Sequence, residues 1–118
     1  MTKPSFVYLA SQSPRRRQLL EQLGVAYELL LPDESEDAEG LEAVLPNEAP
    51  RTYVQRVTGL KLQAALVRLK RRGLPAAPVL CSDTTVALGR TILGKPEHAA
   101  DAARMLGLLS GQNHRVLT

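Results

Sequence analysis

The sequence has no tryptophan, and aromatic residues make up only 3% of it. The core must therefore be built from Leu, Val and Ala. Little is left for stacking unpaired bases, a contact that supplies much of single-strand nucleic-acid binding, so a nucleic-acid partner is not expected. One cysteine, Cys81, is present. That excludes an intrachain disulfide and suits a reducing compartment. Long apolar runs are missing too. No stretch reaches the ~20 apolar residues of a membrane helix. Residues 1–11 carry only a short apolar run, without the longer stretch and small-residue cleavage site of a secretory signal. A cytoplasmic protein with no membrane partner is the expectation.

What is present is ordinary in amount and uneven in placement. The 118 residues are 44% hydrophobic, enough for one small domain with a core. The net charge of +3 hides an asymmetry: seven of the twelve acids lie within positions 33–48. The remainder is correspondingly basic, with one cluster at Arg15, Arg16 and Arg17 and a second at Arg68, Lys70, Arg71 and Arg72. Such a distribution suits an anionic ligand.

The pattern along the chain alternates strand and helix. Residues 6–10 (FVYLA) read as a buried strand. Ser13 then offers an N-cap and Pro14 a first helical residue whose missing N–H costs nothing. Leu19, Leu20 and Leu23 share one face of that helix, and Gly24 supplies its stop. Residues 25–31 read as a second strand, and the acidic, proline-punctuated stretch 32–50 as a loop. A long helix follows over 51–72, with Tyr53, Val54, Val57, Lys61, Ala64 and Ala65 at helical spacing, Leu62, Leu66 and Leu69 extending its apolar surface, and Gly73 at its end. A third strand is expected over 78–82. A hairpin of 85–88 and 91–93 turns at Gly89-Arg90. Pro96 opens a helix through Leu109, with Ala99, Ala102, Ala103, Leu106 and Leu109 facing inward. Residues 114–118 begin a further strand. Such alternation argues for one α/β domain, and the chain stops in mid-pattern.

Three short segments have chemical potential. Ser11-x-Ser13-Pro14-Arg15-Arg16 places two hydroxyls and two arginines at a helix start, where free N–H groups and the helix dipole favour an anion. Arginine is unfavourable in a first turn. A bound phosphate would account for it; so would a well-capped surface helix with solvated arginines. Ser82-Asp83-Thr84-Thr85 places a carboxylate at the end of a predicted strand, where α/β sheets hold ligands. It could activate water or hold a divalent cation, or simply begin a turn. Gly94-Lys95-Pro96 offers a mobile cation for a phosphate, or a solvated turn lysine. The spacing Gly89-x4-Gly94-Lys95 imitates a phosphate loop, but Pro96 stands where Ser or Thr must meet magnesium, so that reading is rejected. Lys61, among apolar positions, either snorkels outward or contacts phosphate. Glu36 reads as a solvated loop charge, Cys81 as a core residue. His98 and His114 lack partners at zinc-ligand spacing.

Taken in order, Leu9-Ala10-Ser11-Gln12-Ser13-Pro14-Arg15-Arg16, Ser82-Asp83-Thr84, Leu93-Gly94-Lys95-Pro96 and the run from Leu109 to Val116 resemble the Maf family of nucleotide pyrophosphatases across nearly the whole chain. The resemblance implies a Maf/ITPase-like α/β fold, a mixed twisted sheet flanked by helices. Residues 1–118 would then be the N-terminal portion of one domain, incomplete at its C-terminal end. It implies hydrolysis of a nucleoside triphosphate to monophosphate and pyrophosphate with a divalent cation, Mg or Mn. Asp83 matches the family's proton acceptor. Ser11, Ser13, Arg16, Lys61 and Lys95 match its phosphate-binding set. Arg15 and Thr84 match positions tied to substrate choice, and their identities resemble the subgroup acting on dTTP and UTP, with modified pyrimidine nucleotides also within reach. Glu36 matches an acidic position and, with Asp83, is the expected metal ligand. A homodimer is an allowed assembly. Family members continue past this point and add further site residues there. The alternative is therefore a non-catalytic nucleotide- or protein-binding module.

Overall fold

The computed structural model describes residues 5–118. Among the described residues it is an α/β protein with three α-helices and six short strands. They fall into two compact units: Met1–Ala43 with Val57–Ser82, and Val44–Arg56 with Asp83–Thr118.

The first unit is built on β1 (Val7–Leu9), which pairs in parallel with β2 (Tyr27–Leu29) on one side and β3 (Val79–Leu80) on the other. Parallel strands need covered faces, and β1 obeys: Tyr8 and Leu9 are buried. Tyr8, Leu30 and Ala65 form the core, with Phe6, Ala10, Leu69, Ala77, Val79 and Cys81 packed against it. The Tyr8 hydroxyl donates to Pro75 O at 2.8 Å, so its one polar atom is satisfied inside.

Helix α1 (Pro14–Gln22) starts and stops as its sequence dictates. Ser13 is its N-cap, Pro14 its first residue, and Gly24 follows its end at φ +70°, a left-handed backbone that glycine adopts without strain. Its apolar face is narrower than expected. Leu20 is buried, but Leu19 is exposed and Leu23 is 75% exposed.

Helix α2 (Pro50–Arg71) contributes its first residues to the second unit and the rest to the first. Its buried positions Tyr53, Val54, Val57 and Ala65 follow the expected stripe, and the stripe continues onto Arg68, a buried cation. The acidic segment before α2 contains one short 3-10 turn, Gly40–Glu42.

In the second unit, β4 (Thr85–Leu88) pairs antiparallel with β5 (Thr91–Leu93) and with β6 (Arg115–Leu117). The hairpin turns at Gly89, φ +60°. The mixed strand directions that the family resemblance implies for one sheet are here divided between a parallel and an antiparallel sheet. Helix α3 (Ala99–Leu109) begins three residues after Pro96. The reason is a cap: His98 Nδ1 accepts the Asp101 N–H at 3.1 Å, while Asp101 Oδ2 accepts the Glu97 N–H at 3.1 Å. Two backbone donors are satisfied reciprocally there, in the manner of a capping box. No residue of α3 is fully buried, and Ala99, Ala103 and Leu106 are exposed rather than inward-facing.

Candidate functional site

The turn between β1 and α1 gathers three of the expected phosphate-binding residues. Ser11 Oγ accepts the Ser13 N–H at 3.2 Å and the Arg16 Nη1–H at 3.1 Å. Ser13 Oγ accepts the Arg16 backbone N–H at 3.4 Å. Arg16 is thereby folded back over the helix start, against the gradient of the helix dipole. No acid lies in the first turn of α1, and the helix dipole adds to the positive charge there. Arg15 is exposed.

Lys61 and Glu36 lie elsewhere in the same unit, and each has found an oppositely charged partner. Lys61 Nζ donates to Glu42 Oε1 at 2.9 Å. Glu36 receives both arms of Arg68, Nε to Oε2 at 2.8 Å and Nη2 to Oε1 at 2.7 Å. Arg71 Nη2 approaches Glu36 Oε2 at 3.3 Å and Asp33 Oδ2 at 3.3 Å. The hydrogen bonds from Arg68 hold the Glu36 carboxyl below the usual carboxylate range, against the opposing effect of partial burial. An open cavity of about 480 Å³ lies here, lined by Gln12 and by Asp33, Glu34, Glu36, Asp37 and Glu39 among others. The acidic loop therefore borders the turn that carries Ser11 and Ser13. Nearby Cys81 has its thiol pushed up, chiefly by burial, with the Arg68 and Lys61 charges opposing; it is a core residue rather than a thiolate nucleophile.

The second unit carries Asp83, Thr84 and Lys95. Asp83 is 9% exposed, immediately ahead of β4, and its Oδ2 accepts the Thr85 hydroxyl at 3.3 Å. Thr84 is exposed, with its Oγ1 3.2 Å from Thr118 Oγ1. Lys95 is exposed between β5 and α3. Asp83 is thus buried next to buried Thr85. A carboxylate is seldom buried without reason.

Sequence reasoning missed Arg68. Its place beside Lys70, Arg71 and Arg72 made it look like one solvated cation among four. The available signal was its register: Val57, Lys61, Ala65 and Arg68 recur at helical spacing, which puts Arg68 on the inward stripe. The partners of Lys61 and Glu36 were missed as well, because the loop supplying them has no period to read.

Residues 6–118 match the Maf-like protein family. The chain belongs to the Maf family. Among its curated relatives, a dTTP/UTP pyrophosphatase of Albidiferax ferrireducens is 78% identical over 113 residues, covering 96% of this chain and 56% of the relative. One of the same name from Polaromonas sp. is 68% identical over 118 residues, covering 100% and 58%. Another, from Cupriavidus metallidurans, is 68% identical over 114 residues, covering 97% and 57%. The chain thus spans little more than half the length of the curated relatives it matches. Among the described residues no helix is long and apolar enough to cross a membrane. No group of three or more His, Cys, Asp or Glu side chains there forms a ready metal cage.

Proposed function

We propose that this Maf-family chain serves a nucleoside triphosphate pyrophosphatase that acts on dTTP and UTP, with modified pyrimidine nucleotides also accepted. The products are the nucleoside monophosphate and pyrophosphate. The observation that carries the reading is the start of α1, where two serine hydroxyls and Arg16 interlock at a helix N-terminus that holds no acid. Free N–H groups and fixed positive charge are what a polyphosphate requires. The relatives' shared name supplies the substrate class. Residues 1–118 are taken as part of one Maf-like domain, because the family match runs through both units. A cytoplasmic setting and a homodimer accord with this reading.

In the reaction, Asp83 accepts the proton of the water that attacks the α-phosphorus. The bond from that phosphorus to the bridging oxygen breaks, and pyrophosphate leaves. Ser11, Ser13 and Arg16 bind phosphate oxygens at the start of α1. Lys61 and Lys95 add mobile positive charge, and Arg15 and Thr84 bear on substrate choice. The carboxylates Glu36 and Asp83 are hard oxygen donors of the type magnesium and manganese take. Such ions are commonly shared between one or two carboxylates and the substrate's phosphates rather than caged by protein. When bound, the ion would neutralise phosphate charge. The acidic lining of the cavity around Glu36, which would otherwise repel a triphosphate, supports this reading.

The test is turnover of the protein on a panel of nucleoside triphosphates with Mg2+ or Mn2+, beside calorimetric binding. Hydrolysis of dTTP and UTP that disappears in Asp83→Asn while binding persists supports the reading. Binding without hydrolysis by the unaltered protein would instead identify a nucleotide-binding module.

A further inference from the structure

Arg68 combines two features that seldom coincide on a surface helix: it is buried, and all three of its guanidinium nitrogens have partners. Its side chain is 6% exposed. Nε and Nη2 hold the two oxygens of Glu36, and Nη1 donates to Leu30 O at 2.8 Å. Leu30 is fully buried beside the end of β2. One planar group therefore joins the sheet, helix α2 and the acidic loop. A buried ion pair gains little stability over an apolar replacement of the same volume, but it fixes geometry. The fork allows one orientation of the carboxylate plane, which a lysine point charge cannot impose. Arg71 and Arg72, both more exposed, reach the same stretch at Asp33, Glu36 and Leu31 O.

We propose that Arg68 is a positioning residue: it sets the orientation of the Glu36 carboxylate toward a divalent cation. The proposal rests on the reading of Glu36 as a cation ligand given above. It acts through Glu36, so its signature is non-additivity with changes at Glu36.

The experiment compares the unaltered protein, Arg68→Lys, Glu36→Gln and the double variant. Mn2+ alone is titrated by calorimetry, and dTTP turnover is then measured. Partners that orient a metal ligand carry about 10–100-fold in metal affinity or activity. Arg68→Lys is expected to lose Mn2+ affinity within that range and to lower kcat with the KM for dTTP little changed. In the Glu36→Gln background the same substitution should add nothing. Equal losses in both backgrounds, Mn2+ affinity unchanged in Arg68→Lys, or no Mn2+ binding by the unaltered protein would each overturn the role of Arg68. A non-additive Mn2+ cycle without pyrophosphate release would leave Arg68 standing and remove the assigned activity. Turnover with an additive Mn2+ cycle would do the reverse. Should Arg68→Lys not fold, Glu36→Gln is read by amide exchange over residues 33–39. Faster exchange there supports the clamp, and unchanged exchange overturns it.

Discussion

Lys61 and Glu42, 19 positions apart, meet at 2.9 Å across the gap between helix α2 and the 3-10 turn of the acidic loop. A lysine proposed to meet phosphate is thus already facing a carboxylate. Ligand binding must exchange one anion for another, so the charge on Glu42 opposes it.

Glu42→Gln should accordingly tighten dTTP binding. Partly exposed ion pairs of this kind contribute about 0.2–1 kcal/mol, which corresponds to roughly a 1.4- to 5-fold gain in affinity. Calorimetry at low and high salt checks this. The gain should shrink as salt screens the pair, and weaker binding by the variant would contradict the competition.

Ser13 has two jobs that substitution can separate. Loss of an N-cap side chain to Ala costs about 0.5–2 kcal/mol, whereas loss to Gly costs only a few tenths. Ser13→Ala should therefore lower the denaturation midpoint more than Ser13→Gly does. Both should weaken dTTP binding to a similar degree, because both remove the hydroxyl that would meet phosphate. Normal binding by Ser13→Gly would confine the residue to capping.

Acid should loosen the second unit through Glu48. Its carboxylate accepts Arg56 Nε at 2.6 Å and Arg56 Nη2 at 2.9 Å, and also accepts the Leu45 N–H at 3.1 Å. The hydrogen bonds from Arg56, chiefly, hold its carboxyl below the usual range. A group lowered on folding stabilises fully above its unfolded value, about 4.3 for Glu. That contribution is lost as pH falls through the lowered folded value. Glu48→Gln should be less stable than the unaltered protein at neutral pH, and the gap should narrow progressively as pH falls below about 4. Urea midpoints from pH 3 to 7 would show it, and a gap independent of pH would refute it.

Leu30 is the largest test of the first unit's core. It is fully buried with Tyr8 and Ala65, and Leu→Ala at such sites costs about 2–5 kcal/mol. Leu30→Ala should lower the urea midpoint of unfolding. An effect below about 1 kcal/mol would mean that this core repacks freely.

Local grammar made much of the fold legible. Ser13, Pro14 and Gly24 bracket α1 because capping, a fixed φ and a left-handed stop are properties of single residues. Gly89 marks the β4–β5 turn for the same reason. The start of α3 was misread because Pro96 satisfies the rule for a first helical residue, while the cap built by His98, Asp101 and Glu97 comes later and wins. Leu19, Leu23 and Leu106 keep helical spacing yet stay exposed, since periodicity names a face without saying what covers it. The partners of Lys61 and Glu36 depend on where an aperiodic loop comes to rest. Tertiary packing decides that, and no spacing rule reads it.

The most direct measurement is a 31P spectrum of dTTP incubated with the protein and Mg2+. Inorganic pyrophosphate and dTMP appearing in equal amounts, with UTP behaving alike, is the predicted result. Orthophosphate with dTDP would place the cut at the wrong anhydride bond and contradict the assignment.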